Sequence, residues 1–273
     1  MGKLWRNTKL TVLAFMCFIL CFVQLAHAGD RDISSRQYFE GRPYIIDAPS
    51  EHEFREKMPI IIVLHGATGN ALTMKRSIIH NMRLEMEKHG FLVAYLSGNP
   101  GGLSRRRRTW NAGVCCGPAE WRHKNDVGYI KGFIRHAIDE HNADPKRIYM
   151  MGFSNGAMMA YRYVCEYPQT VTAIVAISGT LMSDSCKPHG LKGVLHIHGG
   201  DDLVVPIEGG VSKVGLFRRE YYTPVGDVSS LMKDAGVPFK LRFLEAVGHQ
   251  FDVMNERINL AATSWRFFSG HSR

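Results

Sequence analysis

Residues 150–160 of this chain read MMGFSNGAMMA, in which Gly152 and Gly156 flank Ser154 in the pattern G-x-S-x-G. The pattern predicts a nucleophile elbow, a tight turn where the serine backbone is strained and a Cβ at either glycine would collide with the adjoining strand or helix. Apolar residues at 147–151 predict a strand before the turn, and helix formers at 157–166 predict a helix after it. This context favours a nucleophilic Ser154 over an ordinary turn.

The segments on both sides alternate between strand and helix patterns. A continuous β-branched run at 59–64 is typical of a strand that is covered on both faces. Further strand patterns occur at 38–47, 91–96, 171–177, 194–198 and 239–244, and helix patterns occur at 72–89, 127–141, 228–235 and 255–268. Asn125 and Asp126 precede the second of these helices as candidate caps. The alternation predicts an α/β fold with a mostly parallel central sheet and helices on both faces.

Candidate partners for Ser154 follow two of the later strands. Asp201 and Asp202 come after the strand at 194–198, and His249 comes after the strand at 239–244. Sites in open α/β sheets gather at the carboxyl ends of the strands, so we expect these residues at one edge. The order Ser, Asp, His, each after its own strand, is that of the α/β-hydrolases. A histidine takes the proton of the weakly nucleophilic serine, and a carboxylate orients that histidine and stabilises its charged form.

The turn after the first buried strand, HGATGN at 65–70, offers backbone amides to a substrate oxygen. Such a loop supplies one donor of an oxyanion hole, and the amide after the nucleophile, here Asn155, supplies the other. We predict Ala67 as the loop donor, with Thr68 as the alternative. His65 is interpreted as ordering the loop and not as taking part in the chemistry.

The amino-terminal segment has the pattern of a secretory signal peptide. Lys3, Arg6 and Lys9 precede an uncharged apolar run at 10–23, and Ala26-His27-Ala28 supplies the small residues of a cleavage site. The run is shorter than the roughly 18 residues of a membrane span, although an uncleaved anchor is the alternative. We expect cleavage after Ala28, export, and no stable membrane insertion afterwards.

The expected mature chain, residues 29–273, is long enough for one large core and is predicted to be a single catalytic domain. Without the three signal-peptide cations it carries 31 Lys and Arg against 25 Asp and Glu. This balance is moderate, charges of both signs are mixed, and the only dense cluster is Arg105–Arg108, so we expect no nucleic-acid partner. The sequence leaves the oligomeric state undetermined.

Four cysteines follow the predicted cleavage site, and an even number in an exported protein permits disulfides. Adjacent Cys115 and Cys116 cannot place two thiolates as C-x-x-C does, and no histidine joins them at zinc-site spacing, so no metal site is predicted. Cys165 lies about three turns beyond Ser154 on the predicted helix, whereas Cys186 follows a strand on the same edge as the elbow. Cys186 is therefore predicted to pair with Cys115 or Cys116, and Cys165 to be a buried free thiol.

Residues 97–118 are predicted to form a long irregular loop, and such loops in compact domains tend to carry function. Trp110 and Asn111 in this loop are candidate substrate-loop residues. The preceding Arg105–Arg108 run is interpreted either as a guide for anionic or polymeric esters or as a solvated loop tip, the usual state of a charge run. Because guanidinium groups repel one another, we expect the four to spread into water at the rim of the pocket.

An ordered series of motifs resembles secreted esterases of the poly(3-hydroxybutyrate) depolymerase and feruloyl esterase type, within the α/β-hydrolases. The series comprises GRPY at 41–44, LHGATGN at 64–70, WNAGVCCG at 110–117, DVGYI at 126–130, GFSNGAMMA at 152–160, HIHG at 196–199 and DLVVP at 202–206. The resemblance covers nearly all of the expected mature chain. It implies that Asp202 is the orienting carboxylate, because the carboxylate of that family stands three residues before the Val-Pro pair.

Together the motifs imply a secreted serine carboxylic ester hydrolase that uses Ser154, His249 and Asp202 through an acyl-enzyme. Its expected partner is a small or polymeric ester, and no cofactor is needed. Two alternatives stay open at this point. One is a catalytically silent binding protein on the same scaffold, because a fold does not fix a function, and the other is a serine peptidase with the same triad.

Overall fold

An eight-stranded sheet forms the centre of the computed structural model, which describes residues 37–50, 57–101, 104–183, 185–214 and 220–273. Numbered in chain order together with the minor strands, the strands of this part are β1 (Gln37–Phe39), β2 (Arg42–Asp47), β3 (Met58–Leu64), β4 (Leu92–Leu96), β5 (Asn99–Gly101), β6 (Ser104–Thr109), β7 (Ala143–Phe153), β8 (Ala173–Ile177), β9 (Gly193–Gly199), β10 (Gly210–Val211), β11 (Tyr221–Tyr222) and β12 (Phe239–Leu244).

The order of the main sheet is β1-β2-β4-β3-β7-β8-β9-β12. Strand β2 runs antiparallel to β4, whereas the neighbours from β4 through β3, β7, β8 and β9 to β12 are all parallel. The carboxyl ends of the parallel strands therefore share one edge, where turns and loops from different parts of the chain meet. This sheet confirms the predicted α/β fold with a mostly parallel centre.

Helices cover both faces of the sheet, as the continuous apolar strand β3 predicts. The helices are α1 (Ala71–His89), α2 (Gly117–Trp121), α3 (Asp126–Glu140), α4 (Asn155–Glu166), α5 (Val225–Asp234), α6 (Phe251–Ile258) and α7 (Leu260–Phe268). Ile60 and Ile62 of β3 belong to the core shared with α3 and α4, and Ile61 and Val63 belong to the core shared with α1, α6 and α7. Alternate residues of one strand thus stabilise both layers.

Three local predictions are wrong in detail. Residues 97–118 contain the β5–β6 hairpin and the short helix α2 instead of an unbroken irregular loop. The predicted final helix is two helices, because Asn259 adopts a left-handed conformation (φ 45°) and accepts a hydrogen bond from the Ala262 amide. Asn125 caps α3 by accepting from the Gly128 amide at 2.8 Å, but Asp126 is not a cap and lies buried.

The disulfide prediction is also wrong. Cys186 is bonded to Cys165, and Cys115 is bonded to its neighbour Cys116. The connection after β8 has to return to the opposite edge of the sheet before parallel strand β9 can begin, and on its way it passes the end of α4, where the Lys187 amide donates to the Cys165 carbonyl. Cys186 therefore meets Cys165 and not the cysteines near the elbow.

Residues 1–28, where the sequence predicts a signal peptide, lie outside the described part of the chain. Within that part, no helix has the length and apolar character that crossing a membrane requires. Residues Tyr38–Arg273 form one compact unit.

Candidate active site

Ser154 stands on a sharp turn between β7 and α4. Its backbone angles are φ 54° and ψ −123°, a strained conformation for a residue with a side chain. A Cβ on Gly152 would collide with the Gly156 backbone, and a Cβ on Gly156 would collide with the Leu64 carbonyl of β3. Both glycines are therefore required by the close passage of strand and helix, as the pattern G-x-S-x-G predicts.

The structure brings Ser154, His249 and Asp202 together at the carboxyl edge of the sheet. The Ser154 Oγ atom lies 2.9 Å from His249 Nε2, and His249 Nδ1 lies 2.7 Å from Asp202 Oδ2. Asp202 follows β9 and His249 follows β12, so parallel strands on one side of the elbow position both. Asp201, the alternative carboxylate, is exposed.

The protonation of the three residues follows from their contacts. An ionised carboxylate can only accept, so His249 Nδ1–H donates to Asp202, and Nε2 is left to accept the Ser154 hydroxyl proton. Asp202 Oδ1 accepts from the amides of Val204 (3.0 Å) and Val205 (2.9 Å). Burial acts to raise the pKa of Asp202, but His249 and the hydrogen bond from the Val205 amide outweigh it and hold that pKa below its usual range. Asp202 is therefore ionised at neutral pH.

A buried series of hydrogen-bonded side chains supports the loop that carries Asp202. His198 Nε2 donates to the Val205 carbonyl at 2.8 Å, so its Nδ1 accepts from His196 Nε2 at 2.8 Å, and His196 Nδ1 in turn accepts from the Tyr161 hydroxyl at 2.7 Å. Burial lowers the pKa of both histidines, which keeps them neutral in this arrangement. The sequence predicts no role for these residues, although two histidines at alternate positions of an apolar buried strand indicate a buried polar network.

The two oxyanion candidates in the loop after β3 differ in their contacts. Gly66 lies against Ser154, since a Cβ on it would stand 3.4 Å from Ser154 Cβ. The Thr68 amide donates to the Arg108 carbonyl at 2.8 Å and is therefore already engaged. This favours the adjacent Ala67, which stays a prediction, as does the Asn155 amide.

Trp110 and Asn111 do not form a surface that a substrate could contact. The Trp110 side chain is fully buried, and its indole N–H donates to the His65 carbonyl at 3.0 Å. Asn111 is also buried, and its side-chain amide donates to the Lys124 carbonyl at 2.9 Å. Both residues are buried, and their polar groups are hydrogen-bonded within the protein.

Asp126 anchors this part of the chain. Its carboxylate accepts from Arg42, from the Asn99 side chain at 2.7 Å and from the Asn111 amide at 2.7 Å. Burial raises the pKa of Asp126, while Arg42 and the Asn111 amide oppose that effect. A buried carboxylate with three donors fixes the backbone that leads from β4 to the Trp110 segment.

The arginine run is part of the hairpin and is only partly at the surface. Arg107 is exposed, but the Arg108 guanidinium donates to the Gly98 carbonyl at 2.8 Å and is not spread into water. The side chains of Arg105 and Arg106 lie outside the described part of the structure. The prediction that all four charges rim the pocket is therefore wrong for Arg108.

The buried His65 carries a prediction about acid stability. Burial lowers the pKa of His65 to about 4, although its hydrogen bond to the Gly66 carbonyl acts to raise it. Unfolded chains bind this proton at a pKa of about 6.5, so the unfolded state is favoured as pH falls from about 6.5 to 4. We expect His65 alone to remove on the order of 2–3 kcal/mol from the free energy of unfolding over this range.

Urea denaturation between pH 7 and pH 4.5 measures this loss. The matched variant is His65→Gln, which has no proton to gain and can still accept from the Gly98 amide, the bond that His65 Nε2 makes at 3.0 Å. Its stability should depend less steeply on pH than that of the wild type. The remaining slope comes from the other groups whose pKa is lowered in the folded protein, among them His196, His198 and Asp202. Identical slopes for the two proteins would show that His65 is not the titrating group.

No group of three or more His, Cys, Asp or Glu side chains is arranged to hold a metal ion among the described residues. What the geometry offers is a serine hydroxyl, an imidazole and a carboxylate in hydrogen-bonded order. Such a group carries out acyl transfer with its own side chains and backbone amides.

Comparison with known proteins places this geometry in context. Residues 52–219, more than half of the chain, match the family model described as phospholipase/carboxylesterase. Feruloyl esterase B of Piromyces equi is 29% identical over 178 residues, which are 63% of this chain and 31% of that protein. Feruloyl esterase C of Emericella nidulans is 28% identical over 181 residues, 65% of this chain and 61% of that protein. The chain thus spans about a third to three fifths of the length of these relatives.

The fold is shared with solved structures of low sequence identity. The carboxylesterase of Bacillus cereus superposes with a TM-score of 0.59 at 16% identity, over 81% of this chain and 95% of that one. This likeness shows the arrangement of the sheet and its helices.

Proposed function

Because the chain belongs to the phospholipase/carboxylesterase family of α/β-hydrolases, we propose that it hydrolyses carboxylic esters with Ser154 as nucleophile, His249 as general base and acid, and Asp202 as the orienting carboxylate. The observation that carries this proposal is the continuous hydrogen-bonded series from Ser154 Oγ through His249 to Asp202, with distances of 2.9 and 2.7 Å. A silent binding protein would have no need to keep a strained serine in this series.

The reaction starts when Ser154 Oγ attacks the ester carbonyl carbon and its proton passes to His249 Nε2. Asp202 stabilises the imidazolium that forms, and the amides of Asn155 and Ala67 donate to the oxyanion. As the tetrahedral intermediate collapses, His249 returns the proton to the departing alcohol and an acyl-Ser154 ester remains. Water then repeats the sequence: His249 takes its proton, the carboxylic acid leaves, and Ser154 regains its hydrogen.

The substrate class is proposed from the relatives. Two of them are named feruloyl esterases, so we propose that the acyl group is a hydroxycinnamic acid or a similarly small acid, attached to a soluble or polymeric alcohol. The sequence motifs also resemble those of poly(3-hydroxybutyrate) depolymerases, so polyhydroxybutyrate is a second candidate substrate. The signal-peptide pattern at 1–28 supports an exported enzyme, with the domain at 29–273 acting outside the cytoplasm.

A panel of three substrates tests the proposed function. We expect purified protein to release p-nitrophenol from p-nitrophenyl acetate and ferulic acid from methyl ferulate, whereas a peptide p-nitroanilide of matched size should be hydrolysed at least about 100-fold more slowly. The reason is that an amide needs its poorer leaving group protonated in a geometry that an esterase site does not have to provide. Faster turnover of the peptide than of the esters would identify a peptidase, and no turnover of any of the three substrates would favour the silent binding protein.

A further inference from the structure

Both halves of the proposed oxyanion hole are tied to the same short stretch of chain, Arg108–Trp110, which we call the clamp segment. We infer that the clamp segment positions the two oxyanion donors, and that Trp110 and the side chain of Asn155 are positioning residues for ester hydrolysis. The inference rests on the proposed function, because it concerns how the hole of that reaction is held. Trp110, which is fully buried, is then not a substrate-contacting residue.

The first half of the hole is held through the Asn155 side chain. The Trp110 amide donates to Asn155 Oδ1 at 2.7 Å, and Asn155 Nδ2 donates to the Trp110 carbonyl at 3.0 Å. The Asn155 side chain therefore makes two hydrogen bonds to the backbone of Trp110, as a residue of a neighbouring strand would. Asn155 is 1% exposed, so it has no water to replace these partners. Its backbone amide, the proposed donor next to Ser154, is fixed by the same pair of bonds.

The second half is held by three bonds to the loop after β3. The Trp110 indole N–H donates to the His65 carbonyl at 3.0 Å. On the other side of Ala67, the Thr68 amide donates to the Arg108 carbonyl at 2.8 Å and the Arg108 amide donates to the Gly69 carbonyl at 3.1 Å. The proposed donor is thus bracketed on both sides by bonds to the clamp segment.

The clamp segment is itself anchored on buried groups. The Arg108 guanidinium binds the Gly98 carbonyl at 2.8 Å, and the Asn111 amide binds the Asp126 carboxylate at 2.7 Å. The Trp110 ring is 0% exposed and lies 5.1 Å from the His65 ring, centroid to centroid. A segment held at both ends can keep two parts of the chain that are far apart in sequence at a fixed separation.

Fixed separation matters because oxyanion donors act only when both are aimed in advance at the place where charge develops. A misplacement of about 1 Å can cost about 100-fold in rate. Losing the clamp should therefore lower kcat, while KM, which reflects ground-state binding when chemistry is slow, should change little.

The test uses two variants that leave every proposed donor amide and all three triad side chains in place. Asn155→Ala removes both bonds to Trp110, and Trp110→Phe removes the indole donor and keeps an aromatic ring. We expect each to lower kcat for p-nitrophenyl acetate by about 10- to 100-fold with KM within about threefold of wild type. An aryl trifluoromethyl ketone, which adds to the serine as an oxyanion, should lose affinity by the same factor as kcat/KM falls.

Matched controls separate positioning from general stability. Trp265→Phe alters a tryptophan that stacks on Phe91 at 4.2 Å, and Asn255→Ala removes an acceptor for the Leu260 amide at 3.1 Å. Both should keep kcat and the affinity for the ketone even if their melting temperatures fall. Circular dichroism confirms folding, and Asn155→Ala decides the question if Trp110→Phe does not fold.

The outcomes are distinct. A fall in kcat with a parallel loss of ketone affinity supports the clamp. If the wild type hydrolyses esters but folded Asn155→Ala keeps its kcat, the clamp is overturned and the proposed function stands. If the wild type hydrolyses no ester, the proposed function fails and the clamp fails with it.

Discussion

Replacing Ser154 by alanine is expected to lower kcat for p-nitrophenyl acetate by about 10⁵- to 10⁶-fold. The hydroxyl that His249 activates from 2.9 Å is then missing, so no acyl-enzyme can form. Ser154 is 9% exposed and its turn is fixed by the glycines on either side, so the fold should survive the loss of one oxygen atom. Steady-state kinetics and a thermal melt of the same preparation measure both expectations.

The triad acts as a unit, so Ser154→Ala combined with His249→Ala should be little worse than Ser154→Ala alone. Ser264→Ala is the matched control, because Ser264 is a fully buried serine of α7 whose hydroxyl lies near Met151 Sδ and not near His249. It should retain wild-type kcat. Activity of Ser154→Ala within about tenfold of wild type would assign the hydrolysis to another nucleophile.

The fold could be predicted from the sequence because its signals are local. Ile60 to Val63 alternate between two cores, and only a strand covered on both faces needs apolar residues at every position. Gly152 and Gly156 report the close contact of strand and helix within five residues. The α/β-hydrolase fold and the resemblance to esterases are confirmed. The motif order predicts Ser154, Asp202 and His249 as the catalytic group; the three side chains lie within hydrogen-bonding distance, and their catalytic role stays a prediction.

The parts that could not be predicted depend on contacts between distant positions. The bonds of Trp110 to Asn155 and His65 each join residues 45 apart, and Asp126 binds Arg42 across 84 residues. Neither the hydrophobic periodicity of the sequence nor the spacing of its motifs indicates such pairs. The same reason accounts for the Cys165–Cys186 disulfide, since this pairing depends on the path of the return connection after β8.

The family match covers only part of the proposed catalytic site. A model covering residues 52–219 includes Ser154 and Asp202 but ends before His249. The proposal of His249 as the base therefore rests on the geometry at the end of β12, where the His249 ring packs 4.9 Å from the Phe153 ring. Packing against the residue before the nucleophile keeps Nε2 directed at Ser154 Oγ.

Asp202→Asn is expected to lower kcat by about 10⁴-fold without unfolding the protein. The amides of Val204 and Val205 donate to Oδ1, so the oxygen of the new amide has to stay on that side. Its NH₂ group then faces His249 Nδ1, where Asp202 now accepts at 2.7 Å. His249 would have to accept at Nδ1 and carry its proton on Nε2, and it could no longer take the Ser154 proton.

Asp201→Asn provides the control for this prediction. It makes the same chemical change at the residue next to Asp202, and Asp201 is exposed. We expect the kcat of this variant to stay within about twofold of wild type. The hydrogen bond that residue 201 makes to the Val247 carbonyl comes from its backbone amide, so the substitution leaves it in place. A proton spectrum should show the strongly deshielded His249 Nδ1 proton in Asp201→Asn and not in Asp202→Asn. If Asp201→Asn is the inactive variant and Asp202→Asn the active one, the assignment of the carboxylate is wrong.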